Sequence, residues 1–372
     1  MIIYVSMIIW TALCGLISKG SEQVCIIDGR EERRTNYLFA FLTMGYIVFF
    51  MGSLCYAFDM SLYEAAFNDL LAEPSEFSNY MKSVKKYPGF YGLQFLFKTY
   101  VSTTFYHFSY LIVAFDCLAI GYVFRKYSPN FALSVFLFIT SGKVTWMVNG
   151  VKQFMAACII LAFSKFLMEK KFIPFAIGVF IAMQFHTSAI VVLPVYFFVH
   201  GKPWNKKMLL ILAVTLLSVT FVSSFTNILE SFLEAADYNG SSYMESMKSG
   251  AGSNLLHVAI AAVPAVIALI GKKDVEEKAP AYINVCINMS IVTACVFLVA
   301  SFTSGILMGR MPIYFQMYSF IALPWLLDNV FDKESAKTIK IACVFLYLLM
   351  YFLTYANSPY YSKFLNIYIS PL

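Results

Sequence analysis

The sequence predicts an all-α protein that crosses a membrane many times, and three observations support this fold class. Hydrophobic residues make up 60% of the 372 residues and charged residues only 13%, whereas about a quarter is usual for a soluble domain. The chain has 37 Phe and 25 Tyr, which suit lipid-facing and interfacial positions. Apolar runs of about 20 residues, the length that a membrane-spanning helix needs, recur along the chain. The net charge of +6 is therefore not taken as affinity for nucleic acid.

Eleven or twelve membrane-spanning helices are expected, within a single integral membrane domain covering 1–372. The ordinary candidate spans are 1–17, 36–58, 103–124, 130–146, 147–167, 208–226, 254–271, 281–301, 311–330 and 339–356. One further run, 172–199, is too long for one span and short for two, and His186 lies at its middle. We predict a broken or re-entrant pair of helices around His186.

The basic residues indicate the orientation, because cytoplasmic loops collect Lys and Arg. With a double pass at 172–199, the inside loops hold 18 of the 27 basic residues, and both termini face outside. A single pass there would invert every later loop and lose this asymmetry. The outer face then carries the two longest loops, 59–102 and 227–253. The second of these is acidic, and is either a solvated cap or a contact surface for a polar substrate.

The outer loop 59–102 is predicted to contain interfacial amphipathic helices. Met60, Tyr63 and Phe67 recur at helical spacing, which favours a helix that lies in the headgroup layer. A second stretch begins at Pro88 and leads back towards the membrane. We therefore expect ordered structure, and not a flexible connector, in this loop.

Polar residues within predicted spans are costly and tend to be functional. Asn149, Lys152 and Gln153 are spaced to share one helical face. Lys152 is either a lysine that extends its amine to the interface or part of a polar pocket. The lone His186, followed by the hydroxyls of Thr187 and Ser188, is either a structural histidine or the lining of a polar cavity.

A second cation, Arg310, stands at a predicted helix entrance. Pro312 is tolerated in a first helical turn, so Arg310, Tyr314 and Tyr318 are expected on one face. The arginine either anchors the helix to lipid phosphate or binds a pyrophosphate with two hydrogen bonds.

Several common chemistries have no motif in the sequence. It contains no Walker loop, H-E-x-x-H, G-x-S-x-G or D-x-D, which excludes nucleotide-driven pumps and the common hydrolases. No two His or Cys residues have ligand spacing on one helix, so we predict no metal site and no cofactor.

Four sequence blocks occur in order along the chain: Asp59-x-x-x-Tyr63-x-x-x-Phe67; Pro88-Gly-Phe-Tyr-Gly-Leu; Val151-Lys152-Gln153-x-x-Ala156 with Gln184-Phe185-His186-Thr187-Ser188-Ala189 about thirty residues on; and Arg310-x-x-x-Tyr314-Phe315. Together they resemble the EpsG-type, Wzy-like family of bacterial polysaccharide polymerases. Lys152 stands where that family usually has Arg, and Tyr87 stands where an acidic residue often precedes Pro.

The resemblance implies a membrane glycosyltransferase, with a GT-C-like fold, in the bacterial inner membrane. Its substrate would be a polyprenyl-pyrophosphate-linked oligosaccharide, joined into capsule, exopolysaccharide or O-antigen at the outer face. Membrane lipid, a chain-length regulator and a flippase are the other partners implied, and nucleic acid is not.

The resemblance also suggests roles for individual residues. As a hypothesis, Lys152 and Arg310 hold the pyrophosphate, and His186 orients or deprotonates the acceptor hydroxyl, with Asp59 as the competing base. The other expected substrate contacts are Asn149, Gln153, Ser188, Tyr63 and Tyr314.

Two other functions remain open from the sequence. A secondary transporter or flippase of lipid-linked oligosaccharide shares many spans and buried charge, but such proteins commonly show internal repeats with paired broken helices. A membrane O-acyltransferase also uses an intramembrane His, although the large outer loops fit it less well.

Overall fold

The computed structural model describes residues 2–27, 29–54, 59–227, 252–303, 305, 308–355, 360–362 and 365–369. Within these ranges the chain is mostly helical and divides into two compact units. The first unit comprises Met1–Leu193 with Lys337–Leu372, and the second comprises Pro194–Ala336. The predicted acidic loop at 227–253 lies almost wholly outside the described residues.

The first unit packs around a central pair of helices. Its elements up to residue 183 are α1 (Ile2–Ser18), β1 (Gln23–Ile27), β2 (Arg30–Arg34), α2 (Tyr37–Gly52), α3 (Met60–Asp69), α4 (Phe77–Ser83), α5 (Pro88–Tyr100), α6 (Phe105–Tyr127), α7 (Phe131–Thr140), α8 (Val151–Ala162), α9 (Ser164–Met168) and α10 (Phe172–Met183). Short 3-10 helices lie at Pro74–Glu76, Lys143–Met147 and Thr187–Val191. Helix α6 packs against α2 and α8, and α8 also packs against α10. The centre of the unit is therefore the α6–α8 pair.

The second unit is centred on two largely buried helices. Its elements are α12 (Lys206–Thr220), α13 (Leu255–Ile270), α14 (Lys272–Lys278), α15 (Ala281–Phe302), a 3-10 helix (Met308–Arg310) and α16 (Ile313–Asn329). Helix α15 packs against α12, α13 and α16. The chain passes between the units through α11 (Val192–Tyr196) and α17 (Lys333–Tyr355), and β3 (Tyr360–Ser362) and β4 (Ile367–Ile369) follow.

Asparagine side chains mark where several of these helices begin. The Asn36 side chain accepts a hydrogen bond from the backbone N–H of Leu38 at 2.9 Å, at the start of α2. The same capping occurs at the starts of α7, α12 and α13, through Asn130, Asn205 and Asn254. An Asn at this position satisfies N–H groups that have no partner within the helix.

The prediction of an all-α polytopic membrane protein is confirmed at the level of its class. In the part of the chain that the structure describes, three helices are long and apolar enough to cross a membrane: Phe105–Tyr127, Ala281–Phe302 and Lys333–Thr354. A fourth candidate is the pair α13 and α14, which is bent by 80°. The other apolar helices among the described residues are shorter, including α1, α2, α7, α8 and α10. The expected eleven or twelve spans and the GT-C-like arrangement stay predictions.

Two predicted spans, 130–146 and 147–167, correspond to helices of only 10 and 12 residues, α7 and α8. Glycine accounts for the interruption, because Gly142 follows α7 at φ 75° and Gly150 precedes α8 at φ 70°. This left-handed conformation suits glycine and ends regular helix.

A β-hairpin occupies the loop between α1 and α2, where the sequence gave no expectation of strand. Its strands pair antiparallel, with Gln23 opposite Arg34 and Ile27 opposite Arg30. Gly29, at φ 76°, lies in the turn and permits the tight reversal. A second, shorter hairpin joins β3 and β4.

Candidate functional site

Three segments of the first unit meet at the N-terminus of α8. They are the segment from Asp59 into α3, the start of α5, and the non-helical break that follows α10. Hydrogen bonds and ring contacts connect each segment to α8 or to a neighbouring segment. This meeting point brings together most of the residues that the sequence predicted as a site.

The Lys152 ammonium group lies among four aromatic rings. Its Nζ atom is 4.9 Å from the ring centroids of Tyr87 and Tyr91. The centroids of Tyr63 and Phe90 lie at 5.6 Å and 5.7 Å. Nζ donates one hydrogen bond, to the Tyr91 hydroxyl at 3.1 Å. Ring faces attract a cation, but an ammonium has three N–H donors, so Lys152 can still donate to an incoming anion.

The position of Lys152 in the first turn of α8 also favours an anion. The N-terminus of a helix carries partial positive charge, which repels a cation and attracts an anion. Lys152 and the N-terminus of α8 therefore contribute positive potential in the same place.

Tyr80, on α4, lies close to Tyr91 of this cluster. Burial raises the pKa of Tyr80 above its ordinary value, and the nearby Tyr91 oxygen raises it further. The Tyr80 ring packs against Phe95 with the centroids 5.1 Å apart. Tyr80 is therefore neutral at physiological pH and brings no negative charge that would compete for Lys152.

Asp59 fixes the start of α8 relative to α3. Its Oδ2 atom accepts a hydrogen bond from the backbone N–H of Gly150 at 3.0 Å. Its backbone carbonyl accepts from the N–H groups of Leu62 and Tyr63 in the first turn of α3. The spacing of Tyr63 and Phe67 predicted this helix correctly, and the structure places both Asp59 and Tyr63 beside α8.

Asn149 is not on the helical face where the sequence placed it. Helix α8 begins at Val151, with Gly150 as its N-cap residue, so Asn149 precedes the helix. The glycine φ of 70° ends the periodicity that the i, i+3 spacing assumed. The predicted shared face is wrong for Asn149, and Lys152 and Gln153 are in α8 as expected.

His186 lies at the predicted break between two helices. Its backbone is extended, with φ −156° and ψ 120°, between α10 and the 3-10 helix at Thr187–Val191. The Nδ1 atom of His186 is 2.7 Å from the Ser188 Oγ. The Gln153 side chain donates to the same Oγ at 3.4 Å, which links the break to α8. The break is confirmed, whereas the double pass through the membrane stays a prediction.

Tyr87 connects His186 with Lys152. Its ring stacks on the His186 imidazole, with centroids 5.0 Å apart and an interplanar angle of 11°. The same ring lies 4.9 Å from the Lys152 ammonium. Tyr87 has a left-handed backbone, φ 59° and ψ 49°, which a non-glycine residue rarely adopts. The Gly89 N–H donates to the Gln184 carbonyl at 2.9 Å, so the start of α5 is docked on the break.

The sequence did not identify the aromatic residues at the start of α5 as part of the site. Tyr87, Phe90 and Tyr91 all lie against Lys152, although only the segment from Pro88 was recognised as a motif. A sequence feature could have identified these rings. Three aromatic residues occur within five positions of an outer loop, and a lysine occurs within a predicted span.

Arg310 and Tyr314 belong to the second unit. Arg310 ends the 3-10 helix Met308–Arg310, and α16 begins only at Ile313, with Pro312 as the N-cap residue. The expected common face of Arg310, Tyr314 and Tyr318 on one helix is therefore wrong. Tyr314 is 2% exposed, and Arg310 is half-buried. Their part in substrate binding stays a prediction.

A small cavity adjoins the cluster on the side of α6. It is lined by Met60, Tyr63, Phe90 and Val151, among other apolar side chains, and its volume is about 10 Å³. Such a volume holds one water at most. The cavity is therefore too small to hold a sugar or a phosphate group.

Comparison with protein families assigns the chain to a family. A family model described as the EpsG family matches residues 36–370, nearly the whole chain. The chain belongs to the EpsG family. This is a family of Wzy-like polysaccharide polymerases, and the chain is accordingly a multi-pass membrane protein of that family. Comparison with curated proteins and with solved structures gives no significant match.

Proposed function

We propose that the protein polymerises oligosaccharide repeat units carried on polyprenyl pyrophosphate, at the outer face of the bacterial cytoplasmic membrane. A hydroxyl oxygen at the non-reducing end of one unit forms a bond to the anomeric carbon of the growing chain. The bond from that carbon to the pyrophosphate oxygen breaks, and the leaving group takes the electron pair. The hydroxyl proton passes to a base.

The observation that carries the proposal is the Lys152 ammonium, held among rings beside His186, in a chain of the EpsG family. Pyrophosphate leaves readily once its developing charge is stabilised. A preformed cation in surroundings of low dielectric does this without reorganising at the moment of reaction, typically for a factor of about 10²–10³. The rings of Tyr87 and Tyr91 flank the ammonium, with their centroids 4.9 Å from Nζ.

His186 is the base in this proposal. The Ser188 hydroxyl at Nδ1 and the Tyr87 ring on its face fix the orientation of the imidazole. When Nδ1 donates its proton to Ser188, Nε2 carries the lone pair that accepts the proton of the sugar hydroxyl. The rival base, Asp59, accepts a hydrogen bond from Gly150 N–H, and we assign it to positioning α8.

The proposal is tested with purified protein and lipid-linked repeat units isolated from the producing cell. We expect a ladder of polymer lengths and one polyprenyl pyrophosphate released for every bond formed. The His186→Ala variant should be slower by a factor of about 10²–10⁴, the usual contribution of a general base. His107→Ala is the matched control, because His107 contacts Ser102 at 2.7 Å and lies outside the cluster.

Two results would overturn the proposal. One is translocation of the lipid-linked unit across a vesicle membrane with no polymer and no released pyrophosphate, which would indicate a flippase. The other is an equal loss of rate in His186→Ala and His107→Ala, which would indicate general damage to the fold.

A further inference from the structure

A long apolar groove runs along the surface where α2 and α6 pack together, away from the Lys152 cluster. Its volume is about 700 Å³, and Ala40, Met44, Gly45 and Leu118 are among the side chains that line it. Along α6 it extends from Tyr110 to Arg125, 15 residues or about 22 Å at 1.5 Å per residue. One leaflet of a hydrocarbon core about 30 Å thick measures about 15 Å, so a lipid chain fits along this groove.

The two ends of the groove differ in polarity. At one end the Tyr110 hydroxyl donates to the Phe49 carbonyl at 3.0 Å, so this ring bridges the two helices. At the other end the Arg125 guanidinium lies 3.2 Å from the Tyr37 ring centroid. The adjacent Lys126 ammonium lies over the Tyr122 ring, 5.8 Å from its centroid, and Tyr122 also lines the groove.

Among the residues that the structure describes, no carboxylate is bound to the positive charge at this end. Arg125 donates to the carbonyl of Thr35 at 2.8 Å and to the Gln23 side chain at 2.7 Å, both neutral acceptors. Within the described part of the chain, neither Arg125 nor Lys126 forms an ion pair. Glu169 is in electrostatic range of Lys126 and is paired with Lys171 at 2.8 Å. Glu32, on the neighbouring hairpin, is paired with Arg34 at 3.0 Å.

We propose that this groove binds a phospholipid with an anionic headgroup, with its acyl chain along the seam of α2 and α6 and its phosphate at the half-buried Lys126. Arg125, which is 5% exposed, adds positive potential behind that position. Basic pockets between membrane helices are suited to anionic headgroups, and an arginine or lysine near the surface contributes about 1 kcal/mol to such binding. In the predicted orientation, this end of α6 faces the cytoplasm.

The polyprenyl chain of the substrate fits this groove less well. The groove end nearest the Lys152 cluster is the Tyr110 end, because Ser109 and Ile112 on the same turn of α6 line the small cavity beside that cluster. A carrier with its pyrophosphate at Lys152 would place no charge near Arg125. The cationic end would then remain without a counterion.

Gly45 allows the groove to be filled selectively. A Cβ atom added there meets no atom within 4 Å, and Gly45 lines the groove, so Gly45→Phe is the substitution chosen to fill it. Leu38→Phe is the matched control, because Leu38 is exposed on the same helix and does not line the groove. Lys126→Gln removes one charge and keeps the length of the side chain similar.

The experiment measures lipid retained by the delipidated full-length protein, by native mass spectrometry, after adding phosphatidylglycerol or phosphatidylcholine with identical chains. We expect wild type and Leu38→Phe to retain phosphatidylglycerol at least tenfold better than phosphatidylcholine. Gly45→Phe should lose this preference, and Lys126→Gln should bind phosphatidylglycerol about fivefold more weakly.

Equal retention of the two lipids by wild type would overturn the proposal. So would unchanged retention of phosphatidylglycerol in Gly45→Phe, or tighter binding of polyprenyl phosphate that Lys126→Gln does not weaken. If Gly45→Phe does not fold, Lys126→Gln and the comparison of the two headgroups still test whether the groove binds an anionic phospholipid. Because no substrate is present, failure here leaves the proposed polymerase activity unaffected.

Discussion

Lys98 and Lys152 lie in the same unit and each packs against aromatic rings, but their ammonium groups are used differently. The Nζ atom of Lys98 donates to three backbone carbonyls at the C-terminal end of α3, those of Phe67, Asn68 and Leu70, at 2.7, 2.9 and 2.7 Å. In the described part of the chain, Lys152 donates one hydrogen bond, to the hydroxyl of Tyr91.

The difference separates a structural lysine from a binding lysine. Lys98 uses all three donors on carbonyls that have no partner within α3, at the end of a helix where a cation is favoured. Lys152 stands at the opposite kind of helix end, where a cation is disfavoured, and it faces rings that supply no strong acceptor. Lys98 therefore fastens α3 to α5, and Lys152 has capacity left for a ligand.

The largest effect is expected from Lys152→Met, which keeps most of the volume and removes the charge. Polymer formation should fall by about 100-fold or more, because the leaving pyrophosphate loses its cation. The melting temperature should stay close to that of the wild type. The measurement is polymer formed per minute from lipid-linked repeat units at equal amounts of folded protein.

Lys98→Met is the matched control for that change. Loss of its hydrogen bonds leaves carbonyls of α3 unsatisfied, at a cost in unfolding free energy of about 1–3 kcal/mol. We expect a lower melting temperature with a rate per folded molecule within a few fold of the wild type. If the two variants exchanged behaviours, the distinction between the two lysines would be wrong.

A smaller effect is expected from Gly89→Ala, which disturbs the surroundings of Lys152 from the same helix that carries Lys98. The added Cβ would lie 2.7 Å from the Gln184 Cβ and 3.1 Å from its carbonyl oxygen. The start of α5 must then move away from the break, and Tyr87 moves with it. We expect about a tenfold lower rate and a loss of about 1–3 kcal/mol in stability.

Gly92→Ala, on the same helix, provides the comparison. Its Cβ would make ordinary contacts with the Met81 side chain at 3.5 Å, so we expect no loss of rate. The measurement is the rate of polymer formation by the two alanine variants at equal protein concentration. Equal rates in both would show that docking of α5 on Gln184 is unimportant for the site.

The smallest effect is expected from Lys152→Arg. A guanidinium keeps the charge and stacks on the same rings, and its planar shape suits a phosphate oxygen pair. The rate should stay within about tenfold of the wild type, whereas Lys152→Met is much slower. Steady-state rates over a range of substrate concentrations make this check. A loss as large as that of Lys152→Met would mean that the shape of the ammonium, and not its charge, is what the site needs.

The sequence predicted features of the fold that depend on local pattern. The spacing of Met60, Tyr63 and Phe67 predicted α3, and the polar triplet at His186 predicted a break in a long apolar run. It missed the β1–β2 hairpin and the shortness of α7 and α8. Those depend on glycines at positive φ, and a hydropathy window averages over such single residues.

Only part of the candidate site could be predicted from the sequence. Lys152, Gln153, His186 and Ser188 were selected because polar groups in apolar runs are conspicuous, and the structure brings them together. The rings around Lys152 were not selected, because Tyr and Phe are unremarkable in a chain that is 18% aromatic. Only the docking of α5 on the break turns the Tyr87 ring towards both Lys152 and His186.

The left-handed backbone of Tyr87 has a consequence for engineering the protein. This conformation costs a tyrosine about 1–2 kcal/mol, whereas asparagine or glycine adopts it more easily. A laboratory selection for heat resistance would therefore favour replacing Tyr87, and a selection for polymer would retain its ring. Substitutions at residue 87 are thus expected to raise thermal stability and to lower polymerase activity.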